Sequence, residues 1–389
     1  MLFKSLLFFA LISGAPALRA QGSYLSAPSI MQEYYVEYDI PELGMRITTE
    51  RPDSNTLIVG NKSHPIWARP CKGFCDVEGV SPQGIFVLSG FANGNFSTAV
   101  VMNPEDGSLM WTKDLASPIV FKTVYIGKEM LGQKAVFGFQ SGDSYFIYNE
   151  TGVLIREYKL SGKLTTQPTV YKNQIFWRFN TGSIVATDLE GSFQWKWELV
   201  PGRQRKISSR ITELLFPVDG LLLFNFMVMN GEDEFDFSVR VLSTADGKVV
   251  DTFEAANSVV MDASQIYMQH SFKGTVAAYD RVSRVQNWVA DNSNGGGGLA
   301  KLVLTSKYLL SADWVLNLFD IKSGALLESA DPQDYISCPP VRNGGSFSSW
   351  FWDLNLGIEP NTIQGRVQKV QSTEGGNLCR YTLVYKILK

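Results

Sequence analysis

The sequence predicts an all-β fold of the β-propeller class. Three observations predict it: short apolar strands, a turn led by Asp or Asn and closed by glycine, and a tryptophan at a fixed distance beyond that turn. Of the 389 residues, 45% are apolar and 19% charged, which excludes wholesale disorder and leaves ample chain for a core. The net charge of −3 excludes a general nucleic-acid binder, which carries a strong basic excess. Only His64 and His270 are present, so general bases titrating near neutral pH are scarce.

The repeat reads AVVMNPEDGSLMW, SYFIYNETGVLIRE, SIVATDLEGSFQW, VRVLSTADGKVVD, TVAAYDRVSRVQNW and VLNLFDIKSGALLE, with a weaker first copy TLIVGNKSHPIW and a last copy QKVQSTEGGNLCR. The turn positions are Ser63, Gly107, Gly152, Gly191, Gly247, Arg284, Gly324 and Gly375. From Ser63 to Gly324 the chain advances 261 residues in six intervals, a mean of 43.5. Runs of Val, Ile, Phe and Tyr are strands. A glycine after the Asp-led turn supplies the positive φ of a tight hairpin. Trp67, Trp111, Trp195 and Trp288 each stand four residues past a turn position, where a large aromatic suits burial between neighbouring sheets. A second hairpin lies upstream of each turn, as in TQPTVYKNQIFWRFNTGSIVATD, so each period holds about four strands. Four-stranded units of 40 to 45 residues are propeller blades. Eight landmarks predict eight blades, and the count falls to seven without the first or last copy.

The stretch VATDLEGSFQW, followed by VVMNPEDGSLMW and AAYDRVSRVQNW, resembles the quinoprotein repeat A-L-D-x-x-T-G-x-x-x-W, across about residues 50 to 330. The resemblance implies a propeller of the PQQ-like type. That type includes catalytic quinoproteins and non-catalytic members such as the bacterial outer-membrane assembly propeller. Gly247 and Gly324 lack the tryptophan and Arg284 stands in place of glycine, which departs from the pattern.

The chain opens MLFKSLLFFALISGAPALRA, with Lys4, a short apolar run and small residues before Gln21. This is the layout of a cleavable secretory signal over residues 1–20, leaving one propeller domain over 21–389. Cleavage is expected after Ala20 or Ala17; cleavage after Ala20 removes Lys4 and Arg19 and leaves 33 basic against 38 acidic residues, a net charge of −5. No later stretch is long and apolar enough for a transmembrane segment. The expected location is secreted or periplasmic. Export makes Cys71, Cys75, Cys338 and Cys379 disulfide candidates. Proximity in sequence pairs Cys71 with Cys75 and Cys338 with Cys379. The second link closes about 42 residues and contributes roughly 4 kcal/mol in the chain-entropy model. Sequons stand at Asn61, Asn95 and Asn149, a number expected by chance.

Among candidate sites, Arg203, Arg205, Lys206 and Arg210 form a basic run in the longest interval, a possible docking loop for a protein partner or an ordinary solvated loop. Glu232, Asp233, Glu234 and Asp236 follow the hairpin signal Asn230-Gly231 but lack EF-hand spacing. Gly295 to Gly298 lack the Lys-Ser/Thr of a phosphate loop and read as a flexible connection. Trp350 and Trp352 share a strand face, either buried between blades or forming a sugar-binding platform. His270 reads as a packed strand residue. The expected function is an exported, non-catalytic, protein-binding scaffold with no cofactor and no metal. The alternatives are a PQQ- and Ca²⁺-dependent sugar or alcohol dehydrogenase and a carbohydrate-binding lectin. The C-terminal RYTLVYKIL is expected to close the ring by pairing with N-terminal chain such as EYYVEYDI.

Overall fold

The computed structural model describes residues 23–33, 36–40, 43, 45–49, 56–60, 65–70, 75–82, 84–89, 98–114, 125–127, 136–198, 204–205, 215–229, 235–254, 256, 258–270, 273–292, 301–336, 347–356, 361–371 and 378–388. Among them there is no α-helix, and the strands fall into eight antiparallel sheets. The first sheet is Val36–Ile40, Met45–Thr49, Thr56–Gly60 and Pro65–Pro70. The second is Cys75–Ser81, Gly84–Ser89, Thr98–Met102 and Leu109–Asp114. The third is Tyr125–Gly127, Val136–Ser141, Ser144–Asn149 and Leu154–Lys159. The fourth is Thr169–Tyr171, Gln174–Arg178, Ile184–Asp188 and Phe193–Trp197. The fifth is Leu215–Val218, Leu221–Met229, Phe235–Ser243 and Val249–Glu254, joined by the short strand Gln204–Arg205. The sixth is Ser258–Met261, Gln265–His270, Thr275–Asp280 and Gln286–Asp291. The seventh is Lys301–Leu304, Tyr308–Ala312, Leu316–Asp320 and Leu326–Ala330. The eighth is Phe347–Leu356, Thr362–Gln371, Leu378–Lys386 and, from the other end of the chain, Ser29–Glu33.

Burial explains the strand sequences. Where strands of consecutive sheets meet, the first strands make most of the contact, as Lys301–Leu304 does with Ser258–Met261 on one side and Phe347–Leu356 on the other, which places first strands innermost. Second strands are covered on both faces and read as continuous apolar runs: every residue of Gly84–Ser89 is buried. Fourth strands lie outermost, and Leu109–Asp114 buries only Trp111. Seven buried apolar clusters each join two consecutive sheets, as Phe86 and Leu88 of the second meet Phe137 and Phe139 of the third.

Closure runs through the chain ends. Ser29 to Glu33 pair antiparallel with Val384 to Arg380. The partner of the C-terminal strand is thus Ser29–Glu33 rather than EYYVEYDI, of which only Glu33 takes part. Val36–Ile40 instead begins the first sheet and pairs with Met45–Thr49. The C-terminal strand is no edge either, since Thr362–Gln371 flanks its other side.

The landmark at Gly375 is also corrected. The other landmarks fall between third and fourth strands, whereas residue 375 falls between the second and third strands of the eighth sheet. That sheet has no such turn, because its third and fourth strands are the two ends of the chain. The register of Phe347–Leu356 with Thr362–Gln371 slips between Phe351 and Asp353; the side chains of Trp350 and Trp352 lie outside the described residues.

Candidate functional site

The repeated chemistry of this chain sits at the seams between sheets. In the first seven sheets, third and fourth strands pair with a one-residue slip at the same point. The fourth-strand residue just before each slip is Trp67, Trp111, Arg156, Trp195, Asp251, Trp288 or Glu328. These seven positions are structurally equivalent.

Each tryptophan docks on the turn glycine of the next sheet, not its own. A Cβ on Gly107 would lie 2.6 Å from the Trp67 ring; on Gly152, 2.5 Å from Trp111; on Gly247, 2.5 Å from Trp195; on Gly324, 2.5 Å from Trp288. These glycines also hold φ between +68° and +76°, where L side chains are strained. The indole N–H groups of Trp67, Trp195 and Trp288 donate to carbonyls of the facing turns, Pro104 at 2.8 Å, Thr244 at 2.7 Å and Ile321 at 3.3 Å. Trp111 Nε1 is buried without a partner.

Where the tryptophan is missing, the partner changes with it. Arg156 pairs with Glu190 beside Gly191, and the aromatic moves two residues along the same face to Tyr158. Tyr158 donates its hydroxyl to Leu189 O at 2.6 Å, and its ring lies 3.1 Å from a Cβ on Gly191. Burial pushes the Tyr158 phenol up to about 12. In the next such seam Asp251 faces Arg284, with Oδ2 and Nε 2.8 Å apart; the angle makes this an ion pair rather than a hydrogen bond. Phe253 supplies the aromatic there, 4.9 Å from the Tyr279 ring centroid. Arg284 replaces glycine at φ +62°, in the seam where no tryptophan ring needs the space.

The Asp-led turns carry their own cap. Asp280 Oδ1 accepts from the N–H groups of Val282 at 3.0 Å and Ser283 at 2.7 Å. The backbone bond from Ser283, then its hydroxyl, hold the Asp280 carboxyl below its ordinary pKa.

A buried polar layer also crosses the seams. Arg178 donates to Asn225 Oδ1 at 2.9 Å and Asn225 O at 2.7 Å, joining the fourth and fifth sheets. Gln140 Nε2 donates to Gly142 O and Gly162 O and its Oε1 accepts from Leu164 N. Gln269 is buried with neither amide atom bonded. His270 is 2% exposed, with Nε2 3.1 Å from the Tyr279 hydroxyl. A cleft of about 300 Å³ opens between the first two sheets, floored by Val87, Val100 and Met102 and rimmed by Arg69 and Asp114.

Of the basic run, Arg205 lies on a short strand opposite Val228, which in turn pairs with Asp236. One register row therefore carries a residue of the basic run and one of the acidic run. Arg203, Lys206, Arg210, Glu232 to Glu234, Gly295 to Gly298, Cys71, Cys338, the sequons at Asn61 and Asn95, and residues 1–20 lie outside the described residues. Cys379 is disulfide-bonded. Among the described residues no three His, Cys, Asp or Glu side chains stand close enough to hold a metal ion. No helix there is long and apolar enough to cross a membrane.

Sequence reasoning missed Tyr158, Phe253 and Glu328. Aligning the fourth strands on the turn shows the first two as aromatics two positions past the missing tryptophan.

Residues 95–254 match the family model described as outer membrane protein assembly factor BamB. No curated protein matches the sequence. Among solved structures the chain is similar to BamB from Moraxella catarrhalis at 14% identity and a TM-score of 0.57, covering 93% of this chain and 99% of that one. It is similar also to the computationally designed Ika8 protein at 11% identity and a TM-score of 0.59, covering 93% and 96%. Family match and structural likeness agree on the architecture: residues 95–254 are similar to the PQQ-like repeats of BamB, and the chain is an all-β propeller of four-stranded antiparallel sheets.

Proposed function

We propose that this chain is an exported, non-catalytic scaffold: a closed propeller of eight blades that binds a protein partner through the loops at its rim. The observation that carries this reading is the fifth sheet, which lies within the segment matching the assembly-factor model. Its second and third strands run nine residues each, against five or six in the first to fourth, sixth and seventh sheets; only the eighth sheet, which the two ends of the chain complete, has strands as long, at ten and nine residues. The extra three or four residues extend the hairpin by about 10–13 Å. The added strand Gln204–Arg205, at the start of the basic run, pairs along that extension. A blade lengthened beyond what packing against its neighbours requires is a surface made for contact. A BamB-like propeller supports a scaffold kind of role, and a periplasmic or outer-membrane-associated location fits it.

The test is a photo-crosslinking amino acid at residue 205 in cells, with the same probe at Lys307 as a control. The scaffold reading expects one discrete adduct from residue 205, lost when Arg203, Lys206 and Arg210 are changed to Glu while the probe stays at 205. Turnover of an artificial electron acceptor by purified protein supplied with PQQ and Ca²⁺ would overturn the non-catalytic reading. Glycan-dependent binding with no protein adduct would replace the partner.

A further inference from the structure

We propose that Glu328 is a receptor for the chain's own N-terminal segment, and that it determines which strand completes the eighth sheet. Glu328 occupies the fourth-strand position that holds tryptophan in four of the other six repeats. A tryptophan there docks on the turn glycine of the following sheet. After Glu328 the following sheet has no such turn. Its third strand is Leu378–Lys386 and its fourth is Ser29–Glu33, so two chain ends stand where a turn would be.

Chain ends present a different chemistry from a glycine turn. Ser26 N donates to Lys386 O and Leu388 N donates to Tyr24 O, both at 2.9 Å. The ladder therefore leaves the Leu25 N–H facing away from the C-terminal strand, as alternation requires. An unpaired donor at a buried position is costly, and Leu25 is 4% exposed. Glu328 meets this need from the seventh sheet. Its Oε2 accepts from Tyr24 N at 2.6 Å and Leu25 N at 2.9 Å, and its Oε1 lies 2.5 Å from the Ser23 hydroxyl, whose proton it shares with Leu25 O at 2.6 Å. A carboxylate taking consecutive backbone N–H groups makes strong charge-assisted bonds, which a tryptophan cannot accept. Leu25 itself joins the apolar cluster between the seventh and eighth sheets, and the Tyr24 ring meets Tyr308 edge-on at 6.1 Å. The site thus takes an extended segment with two consecutive N–H groups, a leading hydroxyl, an aromatic and a leucine. Its occupant is residues 23–25 of the same chain.

The test is hydrogen exchange of the full chain, resolved by segment, in Glu328→Leu and Glu328→Gln. Glu328→Leu keeps the bulk and removes both acceptors. Glu328→Gln keeps one acceptor oxygen. The proposal expects amides in 23–33 to exchange at least tenfold faster in E328L and by an intermediate factor in E328Q, while 258–291 in the sixth sheet stays at the parent rate. Unchanged protection of 23–33 in E328L would overturn it. Equal loss in 23–33 and 258–291 would also overturn it, because Glu328 would then serve general packing rather than capture of the chain end.

Discussion

The seam between the fourth and fifth sheets and the seam between the fifth and sixth solve one packing problem in opposite ways. In the first, Trp195 lies on Gly247 and bonds Thr244 O. In the second, Asp251 faces Arg284 and the aromatic contact passes to Phe253. The difference shows that the turn glycine is required by its neighbour's tryptophan as much as by its own φ. Where the ring is absent the chain accepts an arginine at φ +62°. Sequence departures that look like decay of a repeat are matched substitutions across a seam.

The largest expected effect comes from breaking the ring rather than one seam. Deleting residues 380–389 removes most of the third strand of the eighth sheet and strips Ser29–Glu33 of its partner. Exposed apolar strand edges then favour association. Aggregation, or a melting temperature lower by more than ten degrees, is expected in thermal unfolding followed by light scattering; unchanged melting would show that closure does not depend on this strand.

Next is Trp195→Ala. The ring is 6% exposed, and truncating a buried tryptophan costs about 3–5 kcal/mol. Denaturant unfolding measures it, and a loss under 1 kcal/mol would mean the seam is held elsewhere. Gly247→Ala follows. Its Cβ would fall 2.5 Å from the Trp195 ring at a φ of +69°, so strain and displaced packing together cost about 2–3 kcal/mol. In Trp195→Ala the ring is gone, so the same glycine substitution should cost about 1 kcal/mol, the backbone part alone. A double-mutant cycle showing no coupling would separate glycine from tryptophan.

The seam between the third and fourth sheets adds a pH test. Tyr158→Phe removes the bond to Leu189 O and is expected to cost about 1 kcal/mol at neutral pH. The Tyr158 pKa is raised in the folded state to about 12. Its stabilisation is therefore complete below the ordinary tyrosine range near 10 and is lost as pH rises through about 12. Parent and variant should converge in stability over that interval; parallel curves would remove the phenol from the seam.

Most of the architecture is legible in the sequence because its signals are local. The Asp-led turn, the positive-φ glycine and apolar runs of five or six residues each act within one hairpin, and they located strands such as Ile184–Asp188 and Phe193–Trp197. What the tryptophans touch is not local. Spacing places Trp195 four residues past Gly191, yet the ring meets Gly247, 52 residues further along. Gly375 misled because a Gly-rich connection resembles a turn of the repeat while lying in a different hairpin. Ser29–Glu33 escaped notice because SIMQE has little strand character of its own and gains order from pairing with the C-terminal strand. Glu328 reads as an ordinary surface carboxylate until the missing turn of the eighth sheet gives it backbone donors to hold.

The smallest expected effect is Arg284→Gly, and its smallness is what makes it informative. A non-glycine residue at φ +62° carries roughly 1 kcal/mol of backbone strain, which glycine relieves. Glycine returns about 0.4–1 kcal/mol to the unfolded chain as conformational freedom, so these two terms nearly cancel. What remains is the ion pair with Asp251, whose partners are 29% and 34% exposed. Pairs so open to solvent contribute at most about 1 kcal/mol and weaken with salt. Arg284→Gly should therefore shift stability by less than about 1 kcal/mol, and the shift should shrink further at high ionic strength. Gly247→Arg, the reverse exchange in the neighbouring seam, forces a side chain into the Trp195 ring and should cost more than Gly247→Ala. Denaturant unfolding of the two exchanges decides the matter. Similar losses in both would mean that the turn position obeys one rule in every sheet, and that tryptophan and glycine are not matched across the seam.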